Sequence, residues 1–192
     1  MQKILSGSAR GRSLLPLPKG LYLRPILSRI KKSLFDILHF RLPNCTFLDL
    51  YAGTGSVGME ALSNGAKKVV FIEKNRQTLS HLQSNLDKLG FRDKSETFSL
   101  DVTQKFPFEG PTYDIIFMGP PYVDENKKPL SLSEPTLSNI INHKLLNPKG
   151  VIIIQHHQKE KIPDQVQNLI KFRTEKYGDT LVDFFRFVED NV

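Results

Sequence analysis

From residue 46 onward, short apolar runs alternate with longer segments in which apolar residues recur every three or four positions. The runs suit buried strands and the recurrent segments suit amphipathic helices. The pattern predicts strands at 46–51, 68–73, 95–100, 113–118 and 150–155. Helices are expected over 56–64, closed by Gly65, after a capping Asn75, and near 133–145. In the second of these, Leu79, Leu82, Leu86 and Leu89 share a face and Gly90 ends the run. A short helix is expected after Pro163, followed by an antiparallel hairpin, Lys171–Tyr177 and Leu181–Val188, turning at Gly178-Asp179. The alternation implies an α/β architecture: a mainly parallel, seven-stranded sheet covered on both faces, with ligands at the carboxyl ends of the strands.

The first 41 residues read differently. Lys3–Ser6 and Ser13–Pro16 form a possible hairpin whose Gly7–Gly11 connection presents Arg10 and Arg12. A helix is expected to start at Arg24-Pro25, with Leu27, Ile30, Leu34, Ile37 and Leu38 inward and Arg29, Lys31 and Lys32 toward solvent. The chain carries a formal net charge of +7, and this segment holds nine basic residues against one acid, Asp36. The remainder is close to neutral, so the charge favours a polyanion docking on residues 1–41 over a merely solvated arm. We divide the chain into this basic extension and a cofactor-binding domain over 42–192.

The single cysteine, Cys45, excludes an intrachain disulfide framework and a cysteine metal cluster. With no apolar run long enough to span a bilayer and no secretion pattern, a cytoplasmic protein without membrane contact is expected. His156 and His157 are adjacent on a strand and lack a third ligand, so no metal site is expected.

Candidate chemistry begins at Phe47-Leu-Asp-Leu-Tyr-Ala-Gly-Thr-Gly-Ser-Val-Gly58, a strand running through a glycine turn into a helix. Gly53 and Gly55 permit positive φ and close approach, and the helix N-terminus favours a negative group. The letters fit a nicotinamide dinucleotide as well as S-adenosylmethionine. Asp49 favours the latter, because a carboxylate suits an ammonium and a sulfonium better than a pyrophosphate. Asp49, Glu73 and Asp101 fall at successive strand ends, where Glu73 could accept from ribose hydroxyls and Asp101 from an adenine amine. As an alternative, any of them could be a turn former or a helix cap. The fourth core strand ends in Gly119-Pro120-Pro121-Tyr122, a rigid ledge whose carbonyls could accept from a substrate amine, with Tyr122 a stacking face for a planar base.

The glycine motif, extended through Met59-Glu-Ala-Leu62, resembles that of class I S-adenosylmethionine-dependent methyltransferases, which have a Rossmann-like fold. Ser8-Ala-Arg-Gly-Arg-Ser-Leu14, Leu23-Arg-Pro25, Arg29-Ile-Lys-Lys-Ser-Leu-Phe35 and Tyr177-Gly-Asp-Thr180 resemble the RsmD family, which methylates a guanine N2 in small-subunit (16S) ribosomal RNA. The resemblance implies that Asp49, Tyr51, Gly53 and Gly55 hold the methionine end of S-adenosylmethionine, Glu73 the ribose and Asp101 the adenine. It implies a catalytic motif at Gly119, Pro120, Pro121 and Tyr122, with Tyr122 stacking on the guanine. Arg10, Arg12, Arg24, Arg29, Lys31 and Lys32 would contact ribosomal RNA or an assembling small subunit, with the protein acting as a monomer.

Three departures accompany the resemblance. Gly119 stands where the family has aspartate and related amino methyltransferases have asparagine, removing an acceptor for the exocyclic amine; such a loss costs on the order of 10²–10⁴ in rate. Pro25-Ile-Leu-Ser28 replaces a Pro-Thr-Thr-Asp-like run, and Gln155-His156 stands where many relatives have Glu-His. Gly119 leaves three readings: the Pro120 carbonyl suffices, the glycine was introduced into this chain, or the protein is a non-catalytic RNA-binding or assembly factor that keeps the fold.

Overall fold

The computed structural model describes residues 2–21, 23, 25–104, 106 and 112–188, so Arg24 lies outside the described residues. The chain forms two compact units, 1–101 and 102–192.

In the first unit, helix α1 (Ser28–Leu38) precedes strand β1 (Thr46–Leu50), helix α2 (Ser56–Ser63), strand β2 (Lys68–Ile72), helix α3 (Arg76–Leu89) and strand β3 (Ser95–Phe98). The strands run parallel in the order β3-β2-β1, and Leu50, Ile72 and Phe98 form one row across them. Apolar continuity makes these strands core: Phe47, Leu48, Leu50 and Val69 through Ile72 are buried. α3 begins where the Asn75 side chain accepts from the Thr78 N–H at 2.9 Å, and ends at Gly90 with φ 74°.

The basic extension is packed against α2. Lys3 and Ser13 make an antiparallel bridge, so the expected hairpin exists as a single pairing rather than two strands. Gly7, at φ 77°, lies so close to α2 that a Cβ there would fall 1.9 Å from the Ser63 carbonyl oxygen. α1 begins at Ser28, later than Arg24-Pro25; it buries Ile30, Leu34 and Leu38 as its spacing predicts, whereas Leu27, at the cap before the first turn, is exposed and Ile37 is half-buried. Lys31 departs from expectation: it is buried rather than solvent-facing, because it sits beside the Ile30–Leu34 stripe and meets an acid from α2.

In the second unit, strand β4 (Tyr113–Met118), helix α4 (Ser133–Asn142) and strand β5 (Leu146–His157) precede strands β6 (Gln165–Val166), β7 (Leu169–Tyr177) and β8 (Thr180–Phe187). β4 and β5 are parallel; β8, β7 and β6 follow beyond β5, all antiparallel to their neighbours. β6 replaces the short helix expected after Pro163 and raises the count to eight strands among the described residues. Gln165 and Val166 pair with Ile170 and Leu169 across a two-residue turn in which Gln167 adopts φ 53°, so the local alternation wins over helix. Among the described residues, no helix is long and apolar enough to cross a membrane.

Candidate functional site

The glycine turn leaves β1 through three left-handed positions before α2. Tyr51 holds φ 58° and Gly53 φ 55°, and Gly55, at φ 77°, caps α2. For Tyr51 this conformation costs energy that the surroundings must supply. A Cβ at Gly53 would meet nothing closer than 3.9 Å, so the turn is open there. At Gly58 the reverse holds, because a Cβ would lie 2.3 Å from the Phe71 ring; the third glycine lets helix and strand pack closely.

The three strand-end acids take three different roles. Asp49 lies one row below the strand end and is 1% exposed, its Oδ2 accepting from the Gly58 N–H at 2.8 Å. It therefore caps α2 from beneath, the alternative that strand-end acids always carry. Burial pushes its carboxyl up to about 8; the Gly58 N–H opposes this, and the nearby Glu73 charge adds to it. Glu73 stands at the rim, Oε2 accepting from the Gly53 N–H at 2.9 Å and Oε1 from the Asn75 N–H at 2.9 Å. Glu73 thus ties the turn after β1 to the start of α3. Asp101 follows β3, with Lys74 Nζ 2.7 Å from its Oδ2. Lys74 escaped the sequence reading, which had no means of pairing two loops 27 residues apart.

Around this turn the extension makes polar contacts that sequence reasoning also missed. Glu60 of α2 accepts from the Leu5 N–H at 2.9 Å, the Ser6 N–H at 2.8 Å and the Lys31 ammonium at 2.8 Å. Lys31 Nζ also donates to the Lys3 carbonyl at 2.8 Å. The available signal was an acid inside Val57-Gly-Met-Glu-Ala-Leu62, a helix every residue of which is buried. Thr54 Oγ1 donates to Gln2 Oε1 at 2.7 Å, and Asn85 Oδ1 accepts from the Leu15 N–H at 2.7 Å. Arg12 is committed as well: its guanidinium donates to the Leu89 carbonyl at 2.9 Å and to that of Lys88, satisfying the end of α3. Arg10, Arg29 and Lys32 are exposed, the last paired with Asp36 at 2.7 Å.

In the second unit, β4 delivers Gly119, Pro120, Pro121 and Tyr122 in that order. Gly119 has ordinary backbone geometry, and a Cβ there would meet the Phe117 ring at 3.4 Å, so a larger residue fits. Tyr122 is half-buried; its hydroxyl accepts from Gln155 Nε2 at 3.2 Å, and its ring meets His157 edge-on at 5.7 Å. His156 points the other way, with Nε2 3.1 Å from Asp183 Oδ2. Thr174 and Lys171 reach the same carboxylate, at 2.6 and 3.2 Å. Burial alone would raise the Asp183 carboxyl, but the His156 and Thr174 hydrogen bonds and the Lys171 charge hold it below the ordinary range.

Residues 2–186 match the family model Conserved hypothetical protein 95. Ribosomal RNA small subunit methyltransferase D of Haemophilus influenzae is 32% identical over 177 residues, covering 90% of this chain and 88% of that protein. The Escherichia coli protein of the same description is 27% identical over 161 residues, 84% of this chain and 77% of that one. The solved structure of Escherichia coli yhhF superposes with a TM-score of 0.83 at 24% identity, over 97% of this chain and 98% of that one. The chain therefore belongs to the Conserved hypothetical protein 95 family, the RsmD family of methyltransferases, and has their Rossmann-like fold.

Proposed function

We propose that this chain transfers a methyl group from S-adenosylmethionine to the exocyclic N2 of a guanine in small-subunit ribosomal RNA. The observation that carries the reading is Tyr122, held by Gln155 directly after the Gly-Pro-Pro ledge of β4 in a chain of this family. A half-buried ring at a strand's carboxyl end suits a planar base drawn from its stack.

The glycine turn fits the cofactor chemically. A desolvated carboxyl pushed up to about 8 is relieved by a nearby cation, which an ammonium or sulfonium supplies. Glu73, fixed by two backbone N–H groups, keeps lone pairs for sugar hydroxyls. Gly53 leaves the backbone approachable, Gly55 lets the turn pack closely on Leu82 and Met59, and Asp101 would be the acceptor for an adenine amine. When bound, S-adenosylmethionine supplies a methyl group already activated on a sulfonium, so neither a metal nor a covalent enzyme intermediate is required. The chain's own part is geometric: Tyr122 holds the base, the Pro120 carbonyl accepts from its amine, and the exposed Arg10 and Arg29 hold RNA phosphates.

The test is transfer of labelled methyl to small-subunit particles that lack the modification, with digestion of the RNA to nucleosides. Label in N2-methylguanosine is the expected result. Failure of the chain to bind S-adenosylhomocysteine would overturn the reading. Gly119 favours a second reading, an RNA-binding or assembly factor that retains the fold. Cofactor and RNA binding without transfer, unrestored by Gly119→Asp, supports that alternative.

A further inference from the structure

β4 and β5 are paired one-to-one from Ile115 with Val151 to Met118 with Ile154. The observed pairing ends there; continuing the same register by one residue sets Gly119 opposite Gln155. Register neighbours on parallel strands project side chains from the same face, about 4.8 Å apart. The missing side chain at 119 and the amide at 155 therefore share one place at the carboxyl ends of the strands. They are also two of the positions at which the sequence departs from the family's motifs.

The Gln155 amide is half committed. Its Nε2 donates to the Tyr122 hydroxyl at 3.2 Å, which fixes the amide plane. Its Oε1 is buried and has no hydrogen-bond partner among the described residues. A buried acceptor without a donor is destabilising, and a ligand N–H recovers that cost. The group that holds the stacking ring thus carries a buried acceptor without a donor, on the strand next to the one that ends at Gly119.

We infer that Gln155 Oε1 is the side-chain acceptor that, beside the Pro120 carbonyl, orients the target amine in this chain, taking the place left by the glycine at 119. The inference rests on the methyl-transfer reading above and names the group that makes it workable. The amide is no base. As the nitrogen lone pair forms the N–C bond and the C–S bond of the donor breaks, the proton released from nitrogen passes to water.

The experiment compares wild type, Gln155→Ala, Gln155→Glu, Gly119→Asp and the Gly119→Asp/Gln155→Ala double variant on unmodified small-subunit particles. Gln155→Ala is expected to lower kcat about 10²-fold, with little change in melting temperature, and Gly119→Asp is expected to restore the loss. Rescue across the strand pair is something a purely structural role would not produce. Gln155→Glu is expected to make the rate follow a carboxylate titration that wild type lacks. A readout without methyl donor is the NMR signal of the Gln155 side-chain amide, expected to shift with guanosine 5′-monophosphate and not with inosine 5′-monophosphate, which lacks the amine. Equal response to the two nucleotides, or full activity of Gln155→Ala, overturns the acceptor role alone. Silence of every variant, Gly119→Asp included, overturns the methyl-transfer reading itself.

Discussion

The Lys31 ammonium lies 2.8 Å from Glu60 Oε2, and both side chains are at most 3% exposed. Glu60 also accepts from the backbone of Leu5 and Ser6, so one carboxylate in the helix after the glycine turn holds both ends of the basic extension. A polar cluster thus holds the extension together with the apolar burial of Ile4, Leu14, Ile30 and Leu34.

Breaking one side of that cluster leaves a buried charge without its counterpart. Lys31→Met is expected to destabilise by about 3–5 kcal/mol, read as a lower urea midpoint. Lys32→Ala, which removes an exposed i,i+4 pair one residue away, should change stability by less than about 0.5 kcal/mol. Similar effects of the two substitutions would show that Lys31 is solvated in solution.

Asp49 makes stability depend on pH in an unusual direction. Its carboxyl is raised from 3.8 to about 8, so across that window the folded protein keeps a proton that the unfolded chain releases. The group's contribution is full below the unfolded value and is lost as pH rises through the folded one. Each unit inside the window costs up to about 1.4 kcal/mol. Urea melts at pH 5, 6 and 7 should show this slope in wild type and a flatter profile in Asp49→Asn. A cationic cofactor beside Asp49 should favour ionisation, so S-adenosylhomocysteine affinity should rise with pH over the same range. Identical pH profiles of stability in the two proteins would mean that Asp49 is already ionised.

Two glycines of one motif should respond oppositely. Gly58→Ala drives a Cβ into the Phe71 ring at 2.3 Å and is expected to cost about 1–3 kcal/mol through overpacking. Gly53→Ala meets open space, and its cost is the left-handed backbone, about 1 kcal/mol. Its larger effect should fall on cofactor affinity, because its Cβ enters the approach to the turn. Calorimetry with S-adenosylhomocysteine separates the two; a Gly53→Ala variant that binds as wild type would move the cofactor away from this turn.

The extension's candidate RNA contacts do not all face solvent freely. Arg10, Arg29 and Lys32 remain open to a polyanion, whereas Lys31 is buried and Arg12 closes α3. Replacing the three exposed residues by Ala should lower the salt slope of RNA binding by about 2, without altering cofactor affinity. Arg12→Ala should instead lower thermal stability. An unchanged salt slope in the triple variant would leave the extension with a structural role only.

Local chemistry was sufficient for much of this molecule. The apolar run of β4 was bounded from sequence at the same residues, 113–118, that the structure shows. Asn75 and Gly90 marked the two ends of α3, and the glycine turn declared its own conformation, because periodicity, capping and left-handed φ depend on near neighbours alone. The tertiary structure decided where buried polar groups went. Lys31 reads as a surface residue until Glu60 arrives from 29 positions away, and Asp49 reads as a free strand-end acid until Gly58 turns its N–H back onto one of its oxygens. Gln155 reads as a lost charge until its amide meets the Tyr122 hydroxyl. A polar side chain is buried only where a distant partner meets it, and a linear pattern of apolar and polar letters carries no record of who that partner is.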